Sequence, residues 1–379
     1  MKKNRRIMLI TNHADDIYCF RKELAEDLIG KGYKVIISCP YGEKLELMKD
    51  LEFTYVESRI DRRGTNVIAD LSLLIHYLRL ISRERPDIVL TYTIKPNIYA
   101  GIVCSWLKTP YINNITGLGS VLTMKGFIKK LVILMLREAI KKSSCVFFQN
   151  SENMELAKRL RLYKGRSILI PGSGVNIDRF PVQDYPSQSG ITVFNYIGRV
   201  LSEKGIDDYI EAAKLIKSER PDTEFNIIGF IEPAEKRFAG KLKELERAGI
   251  IFYRGNQQDV RPFIARSHCM IHPSKYGEGM SNVLLENASS GRPAITTDIA
   301  GCRETVLDGV TGFIYQAGNV NELVEKIRAF LRLPDSARKA MGLNGRRKIE
   351  KEFNRKYVVE AYYREIQRIE EDGKAISQS

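Results

Sequence analysis

The 379-residue sequence lacks the marks of several large protein classes. Its longest continuous apolar run, 131–136, is far shorter than the roughly 20 residues that a membrane-spanning helix requires. Hydrophobic residues form 44% of the chain, which is too many for a disordered protein, and glycine is too infrequent for collagen. The basic residues at the start precede only a short apolar segment, so we predict no signal peptide. We therefore expect a soluble, cytoplasmic protein of about two domains.

Cysteine and histidine are sparse and scattered. The six cysteines show no CxxC spacing, and the four histidines show neither HxxxH nor HExxH. The cysteines fall mostly inside apolar segments, which is typical of small buried residues in a reducing compartment. The sequence therefore predicts neither a disulfide framework nor a metal site.

The formal net charge of +14 is distributed unevenly. Residues 1–180 contain 30 Lys and Arg against 18 Asp and Glu, whereas residues 181–379 contain 30 against 28. A cationic first half indicates an anionic partner. Charge alone leaves three candidates: a nucleic acid, an acidic membrane leaflet and a phosphorylated substrate.

Both halves alternate short β-rich runs with longer amphipathic runs. The first half is predicted to contain strands over 6–11, 33–39, 54–57, 88–92, 111–114, 145–149 and 168–170, with helices between them that include 17–30 and 42–51. The alternation returns from 192 to 332 and is followed by a helix-rich tail over 335–371. Such an alternation favours parallel sheets covered on both faces. Pro, Gly and Ser are frequent in 171–191, the predicted linker. The sequence thus predicts two successive α/β domains, with ligands beyond the carboxyl ends of the strands.

A cationic turn opens the second half. Gly198 and Arg199 follow the predicted strand 192–197, and Lys204 precedes the next helix. Glycine permits close approach to the backbone, and a helix start attracts anions. The turn predicts a diphosphate-sized site without a metal. The alternative is that Arg199 and Lys204 are ordinary surface residues near the start of a helix.

Two glutamates form the second chemical feature. Glu278 lies in a glycine-flanked loop after the predicted strand 269–272, and Glu286 follows eight residues later within a helix. Two carboxylates at this separation can each bind a set of sugar hydroxyls. An acid/base pair stays open, as does a capping Glu278 with a solvated Glu286. The apolar neighbours of Glu286 weaken the last interpretation.

Taken together, the motifs over 195–315 resemble the donor-binding domain of retaining glycosyltransferases of family 4, which have the GT-B fold. After Glu278 and Glu286 come Gly-Arg-Pro, Thr-Asp, Gly-Cys-x-Glu-x-Val and Asp-Gly-x-x-Gly. The resemblance implies two Rossmann-like α/β domains whose parallel sheets face an interdomain cleft. The implied bounds are an acceptor-side domain over 1–175, a donor domain over 176–355 and a last helix over 356–379 that packs back on the first domain.

The resemblance also implies a nucleotide-sugar donor, which is UDP-linked by family habit. It further implies a reaction that needs no metal or other cofactor. Arg199 and Lys204 would neutralise the diphosphate, Glu286 would bind the ribose and Glu278 the sugar, and the anomeric configuration would be retained. Glu278, Arg199 and Lys204 are the implied catalytic residues. The other implied donor-binding residues are Gly198, Gly279, Met280, Ser281, Asn282, Val283, Gly229 and Arg254.

The first half resembles a subgroup that extends lipid-diphosphate-linked sugars in bacterial surface glycan assembly. The resembling pieces are 12–14 with 20–21, then 95–99 and 116–119. The family's Gly-Gly loop is replaced here by 12–16, and its cleft histidine has no clear counterpart. The implied acceptor or cleft residues are His13, Lys95, Asn97, Thr116 and Gly117.

Segment 125–142 alternates apolar with basic residues. It predicts a basic amphipathic helix, which either lies on an anionic leaflet or is a domain helix with one buried face. The charge of the first half favours a peripheral position on the inner face of the plasma membrane.

Three rival functions are a sugar-nucleotide epimerase, a nucleic-acid-binding protein and an inactive scaffold. The chain shows no zinc finger or RNA-recognition signature, so we expect no nucleic-acid partner.

Overall fold

The computed structural model describes residues 5–60, 66–118, 126–186 and 190–378. It divides the chain into two compact units. The N-terminal unit comprises Met1–Ser173 and Arg355–Ser379, and the C-terminal unit comprises Gly174–Asn354. Each unit contains one parallel sheet with helices on both faces, as the alternation of strands and helices predicts.

The N-terminal unit has a seven-stranded sheet in the order β3-β2-β1-β4-β5-β6-β7. Alternate residues of β1 enter two different cores: Ile7 and Leu9 pack on one face, Met8 and Ile10 on the other. Burial on both faces is why these strands are continuous apolar runs. The strands are β1 Arg6–Ile10, β2 Lys34–Cys39, β3 Phe53–Glu57, β4 Ile88–Tyr92, β5 Tyr111–Ile115, β6 Cys145–Phe148 and β7 Ser167–Leu169.

The helices of this unit mostly match the amphipathic runs. The predicted helix 17–30 is wrong as one element, because it breaks at Arg21, whose guanidinium is buried 4.3 Å from the centre of the Tyr92 ring. The predicted helix 42–51 is a 3₁₀ turn, Glu43–Met48. The α-helices are α1 Ala14–Phe20, α2 Lys22–Gly30, α3 Val67–Glu84, α4 Ile94–Leu107, α5 Gly126–Ile140, α6 Ser151–Arg159 and, from the end of the chain, α13 Arg355–Gln378.

The last helix, α13, packs into the core of the N-terminal unit. Its buried residues Val358, Tyr362, Ile366 and Ile369 recur at helical spacing and join the same cluster as Ile7 and Leu9. Each such side chain stabilises the packing by about 1.5–3 kcal/mol through burial. The chain therefore returns to the N-terminal unit after completing the C-terminal one.

The C-terminal unit has a six-stranded parallel sheet in the order β10-β9-β8-β11-β12-β13. The last strand was not predicted, because its four residues follow a turn too closely to show a pattern. The strands are β8 Thr192–Ile197, β9 Thr223–Ile228, β10 Phe252–Gly255, β11 Cys269–His272, β12 Ala294–Thr297 and β13 Gly312–Tyr315. The α-helices are α7 Ile206–Glu219, α8 Arg237–Arg247, α9 Arg261–Arg266, α10 Asn282–Ser289, α11 Val320–Arg332 and α12 Asp335–Lys348.

All strands of each sheet are parallel, so the loops that follow them meet at one edge. In the C-terminal unit this edge carries the loops after β8, β11 and β12. No helix in the described ranges combines the length and the apolar composition that crossing a membrane requires.

Candidate active site

The loops after β8 and β11 are held together by their backbones. Gly205 has a φ of 74°, and a Cβ at this position would lie 1.8 Å from the carbonyl oxygen of Pro273. The Lys275 amide donates a hydrogen bond to the carbonyl oxygen of Glu203 at 2.9 Å. Only glycine permits this approach, which brings the turn Ser202–Lys204 against the loop that carries Glu278.

Four side chains meet where these loops touch. The Lys204 ammonium lies 2.5 Å from Oε1 of Glu278, and Nε2 of His272 lies 3.3 Å from the same oxygen. The Ser281 hydroxyl is 3.1 Å from His272 Nε2. We call Lys204, His272, Glu278 and Ser281 the Lys204–Glu278 cluster. Its ion pair is largely buried, with 14% of the Lys204 side chain and 18% of the Glu278 side chain exposed.

The loop after β12 anchors the acidic loop. The Glu278 amide donates to the Ala300 carbonyl at 3.1 Å, and the Ser281 amide donates to the Gly301 carbonyl at 2.7 Å. Gly301 has a φ of 86°, and a Cβ there would lie 2.8 Å from the Glu278 carbonyl oxygen. The Gly-Cys motif thus supports the position of Glu278.

The electrostatics of the cluster keep Glu278 ionised. Burial alone raises the pKa of the Glu278 carboxyl, but Lys204 and His272 outweigh that effect and hold the pKa well below its usual range. A carboxyl group this acidic is a poor general acid near neutral pH, whereas its carboxylate is a strong acceptor for hydroxyl groups. The geometry therefore favours binding over proton donation.

The second predicted cation, Arg199, lies outside this cluster. Its guanidinium donates to Oε1 of buried Glu232 at 2.7 Å, and its carbonyl oxygen accepts from the Tyr196 hydroxyl. The carbonyl of neighbouring Gly198 would lie 1.8 Å from a Cβ on Gly229, which has a φ of 147°. The ends of β8 and β9 are therefore packed backbone against backbone.

The remaining predicted donor residues divide into two groups. Gly279, Met280 and Ser281 belong to the anchored loop, while Asn282, Val283 and Glu286 lie on α10. Arg254 instead points along the sheet, because it donates to Asn226 Oδ1 at 2.8 Å and lies 3.5 Å from Glu224 Oε1. Both partners precede the carboxyl end of β9, so the Arg254 side chain points away from the cluster.

In the N-terminal unit, two of the predicted residues are engaged in internal contacts. Lys95 forms a 2.7 Å ion pair with Asp70. The Asn97 side chain is buried; it donates to the Asn114 carbonyl at 2.8 Å and accepts from the Thr91 hydroxyl at 2.6 Å.

The other predicted acceptor-side residues lie at the carboxyl edge of the same sheet. His13 is the N-cap of α1, and its Nδ1 accepts from the Asp15 amide at 3.2 Å. Thr116 and Gly117 follow β5. Residue 119 of the resembling piece 116–119, and residue 125 of the amphipathic segment, lie outside the described residues.

One group of side chains has the composition of a metal site. His272, Glu278 and Cys302 offer ligand atoms that all lie within 4.8 Å of one another. Lys204 already supplies a cation to Glu278, and burial raises the pKa of the Cys302 thiol well above its usual range. The ammonium group of Lys204 therefore supplies the positive charge that faces the carboxylate of this group.

Three residues of this region were not predicted as site residues. His272 is the last residue of β11, and ligands of parallel sheets bind beyond the carboxyl ends of the strands, so its position could have identified it as a site residue. Cys302 lies in the Gly-Cys-x-Glu-x-Val motif, which supported the family resemblance but was not read as part of the site. Glu232 carried no signal, because its pairing with Arg199 depends on a tertiary contact.

Two family models match this chain. Residues 182–348 match the family model for glycosyl transferases group 1, and residues 6–150 match that for glycosyl transferase 4-like proteins. The capsular polysaccharide biosynthesis glycosyltransferase CapM of Staphylococcus aureus is 26% identical over 94% of this chain and 96% of its own.

A second relative and one solved structure extend the comparison. The N,N'-diacetylbacillosaminyl-diphospho-undecaprenol alpha-1,3-N-acetylgalactosaminyltransferase of Campylobacter jejuni is 23% identical over 86% of this chain and 89% of its own. The crystal structure of Anabaena Alr3699/HepE in complex with UDP and glucose superposes with a TM-score of 0.79 at 14% identity, covering 96% of this chain and 99% of that one.

Proposed function

The chain belongs to the GT-B glycosyltransferases of the group 1 and 4-like families, and from that membership we propose the reaction that it catalyses. It transfers a hexose or N-acetylated hexosamine from a UDP-linked donor, with retention of configuration, to a hydroxyl of a lipid-diphosphate-linked sugar. The product enters polysaccharide or glycan biosynthesis. The observation that supports this most directly is the 2.5 Å contact between Lys204 and Glu278, from two loops at one sheet edge.

The cations of the C-terminal unit account for the leaving group. Cleavage of the anomeric C–O bond leaves an oxocarbenium-like sugar and adds negative charge to the departing nucleoside diphosphate. Lys204 and Arg199 favour that departing charge more than the ground state, which lowers the barrier. These cations are paired with Glu278 and Glu232, so the donor diphosphate competes with two internal carboxylates.

Glu278 and the acceptor complete the scheme. The ionised Glu278 carboxylate accepts hydrogen bonds from sugar hydroxyls, and Glu286 binds the ribose. The acceptor hydroxyl attacks the face from which the diphosphate leaves, and the leaving phosphate takes its proton. This route needs no protein nucleophile and no metal. The lipid-diphosphate acceptor is proposed because relatives such as the Campylobacter jejuni enzyme are named for diphospho-undecaprenol substrates.

A peripheral position on an anionic membrane surface is the second part of the proposal. Phe127 is 77% exposed at the start of α5, and Ile128, Leu131 and Leu134 are exposed on the same helix. Lys129 and Lys130 lie within the same turns. An exposed apolar and basic helix of this kind inserts shallowly into an anionic leaflet.

A transfer assay tests the reaction. The protein is incubated with a panel of UDP-sugars and a polyprenyl-diphosphate-linked sugar, and both UDP release and acceptor extension are measured. Glu278→Gln removes the charge without changing the shape, and Glu211→Gln on the exposed face of α7 is the matched control. Extension that is lost only in Glu278→Gln supports the proposal. Interconversion of donor sugars without extension supports the epimerase instead.

Vesicle sedimentation tests the membrane surface. Vesicles containing phosphatidylglycerol should bind the protein, and Phe127→Ser with Leu131→Ser should weaken binding about tenfold through the loss of apolar contact. Leu307→Ser, which alters an exposed leucine of the C-terminal unit, is the control. Equal binding by both variants would contradict a role for α5.

A further inference from the structure

His272 is a buried ring that contacts the predicted sugar-binding carboxylate. It ends β11, and only 3% of its surface is exposed. Its Nε2 faces both Glu278 Oε1 at 3.3 Å and the Ser281 hydroxyl at 3.1 Å. Its Nδ1 is buried and has no hydrogen-bond partner among the described residues. The two ring nitrogens therefore have different surroundings.

These surroundings select one tautomer of the ring. A proton on Nδ1 would bury an unsatisfied N–H and would turn the Nε2 lone pair toward a carboxylate. A proton on Nε2 gives Glu278 a donor and leaves only an unsatisfied acceptor at Nδ1, which is the smaller penalty. A ring proton on Nε2 therefore fits the site, donating to Glu278.

The need for a second donor follows from the position of Lys204. Lys204 neutralises Glu278 in this structure, yet the proposed reaction requires the same ammonium at the donor diphosphate. When Lys204 turns to the phosphates, the buried Glu278 carboxylate loses the ammonium group that compensates its charge, and such a loss is costly in a buried site. The His272 ring stays in place because β11 carries it, so its Nε2–H remains available.

We infer that His272 is a positioning residue: its Nε2–H holds the Glu278 carboxylate in place to accept the hydroxyls of the donor sugar while Lys204 binds the diphosphate. This inference rests on the proposed function of Glu278 and Lys204. It predicts that His272 matters for binding and transfer of the sugar but not for binding of the nucleotide.

Three variants and two measurements test the inference. His272→Phe keeps a ring but removes the donor, His272→Gln carries an amide N–H near the place of Nε2, and His272→Asn carries one near the place of Nδ1. Transfer kinetics with the UDP-sugar are compared with the dissociation constant of free UDP, measured by titration calorimetry. We expect His272→Phe to lower kcat about 10- to 100-fold with the UDP constant changed less than twofold. His272→Gln should recover most of the loss and His272→Asn should not.

Several outcomes would overturn the inference. These are wild-type kcat in His272→Phe, equal kcat in the Gln and Asn variants, and a loss of UDP affinity that matches the loss of kcat. The comparison of Gln with Asn decides the question even where His272→Phe does not fold. His268→Gln, at a buried ring that accepts from the Val193 amide, is the control for a purely structural histidine. Its thermal stability should fall while the kcat of the folded fraction does not.

Glu278→Gln separates this inference from the proposed function. Wild-type transfer by Glu278→Gln would reject the role of Glu278 itself. Loss of transfer in Glu278→Gln together with wild-type transfer in His272→Phe would reject only the positioning role of His272.

Discussion

The two units each contain a largely buried ion pair at the carboxyl edge of a parallel sheet, but the pairs differ in what surrounds them. In the C-terminal unit, Lys204 and Glu278 are joined by His272 and Ser281, and glycines press their loops together. In the N-terminal unit, Lys95 and Asp70 link the first turns of two helices, α4 and α3. The comparison shows that the same kind of ion pair joins two loops in one unit and two packed helices in the other.

Lys204→Met and Lys95→Met probe this difference with the same chemical change. Each leaves a largely buried carboxylate without its cation, which should reduce the free energy of unfolding by about 3–5 kcal/mol. Lys204→Met should also lower transfer more than 100-fold, because it removes a charge that stabilises the departing diphosphate. Lys95→Met should leave the donor KM unchanged. Urea unfolding and transfer kinetics provide the measurements.

Lys214→Met supplies the control for this pair of variants. Lys214 forms an exposed ion pair with Glu211 on α7, which is worth about 1 kcal/mol or less. A similar loss of transfer in Lys95→Met and Lys204→Met, each with a raised donor KM, would contradict the distinction between the units.

In the C-terminal unit, glycines fix the loops that bring Lys204 to Glu278. Gly205 and Gly301 stand where any side chain would overlap a backbone carbonyl, so such motifs carry three-dimensional information. The choice of ionic partner was not predictable. Arg199 pairs with Glu232 rather than with Glu278, and that choice depends on distances that only the folded chain sets.

The N-terminal unit shows where patterns stop being informative. Its strands were predicted within one or two residues because burial on both faces gives continuous apolar runs. The break at Arg21 was missed because the apolar spacing continues through it, whereas the buried guanidinium against Tyr92 is a tertiary contact. Asn97 was predicted from the resemblance as an acceptor contact, and its polar atoms lie inside the unit.

Gly229→Ala tests the backbone packing that distinguishes the C-terminal unit. Gly229 has a φ of 147°, and the new Cβ would overlap the Gly198 carbonyl. The free energy of unfolding should therefore fall by about 3 kcal/mol. Gly240→Ala, in α8 with no atom within 4 Å of the added Cβ, should instead be neutral or slightly stabilising. Equal unfolding midpoints in urea for the two variants would show that the β8 and β9 ends tolerate separation.

Asn97→Ala makes the corresponding test in the N-terminal unit. It removes the acceptor of the Thr91 hydroxyl and the donor to the Asn114 carbonyl, and leaving such buried groups unsatisfied should lower the free energy of unfolding by about 2–3 kcal/mol. We expect the donor KM to stay at the wild-type value. An unchanged unfolding free energy with a raised acceptor KM would place Asn97 at the substrate instead.

The stability of the C-terminal unit should also depend on pH through His268. Burial, followed by the charge of Arg338, lowers the pKa of His268 to about 4, below the usual 6.5. The neutral ring is therefore favoured in the folded state, so its contribution is complete above pH 6.5 and is lost as the pH falls toward 4. Wild-type protein should lose about 2 kcal/mol more than His268→Gln over this interval. Parallel urea-unfolding curves for the two proteins would exclude this effect.

Metal removal should have the smallest effect of all. The carboxylate that a divalent ion would bind, Glu278, already receives the Lys204 ammonium, and burial raises the pKa of the nearby Cys302 thiol. Transfer measured after dialysis against EDTA should therefore match the untreated rate, and added Mg²⁺ or Mn²⁺ should not raise it. Lys204→Met sharpens the test, since it frees the carboxylate for a cation. Rescue of that variant by a divalent ion, with no effect on wild-type protein, would show that the ammonium group takes the place of a metal in the C-terminal unit.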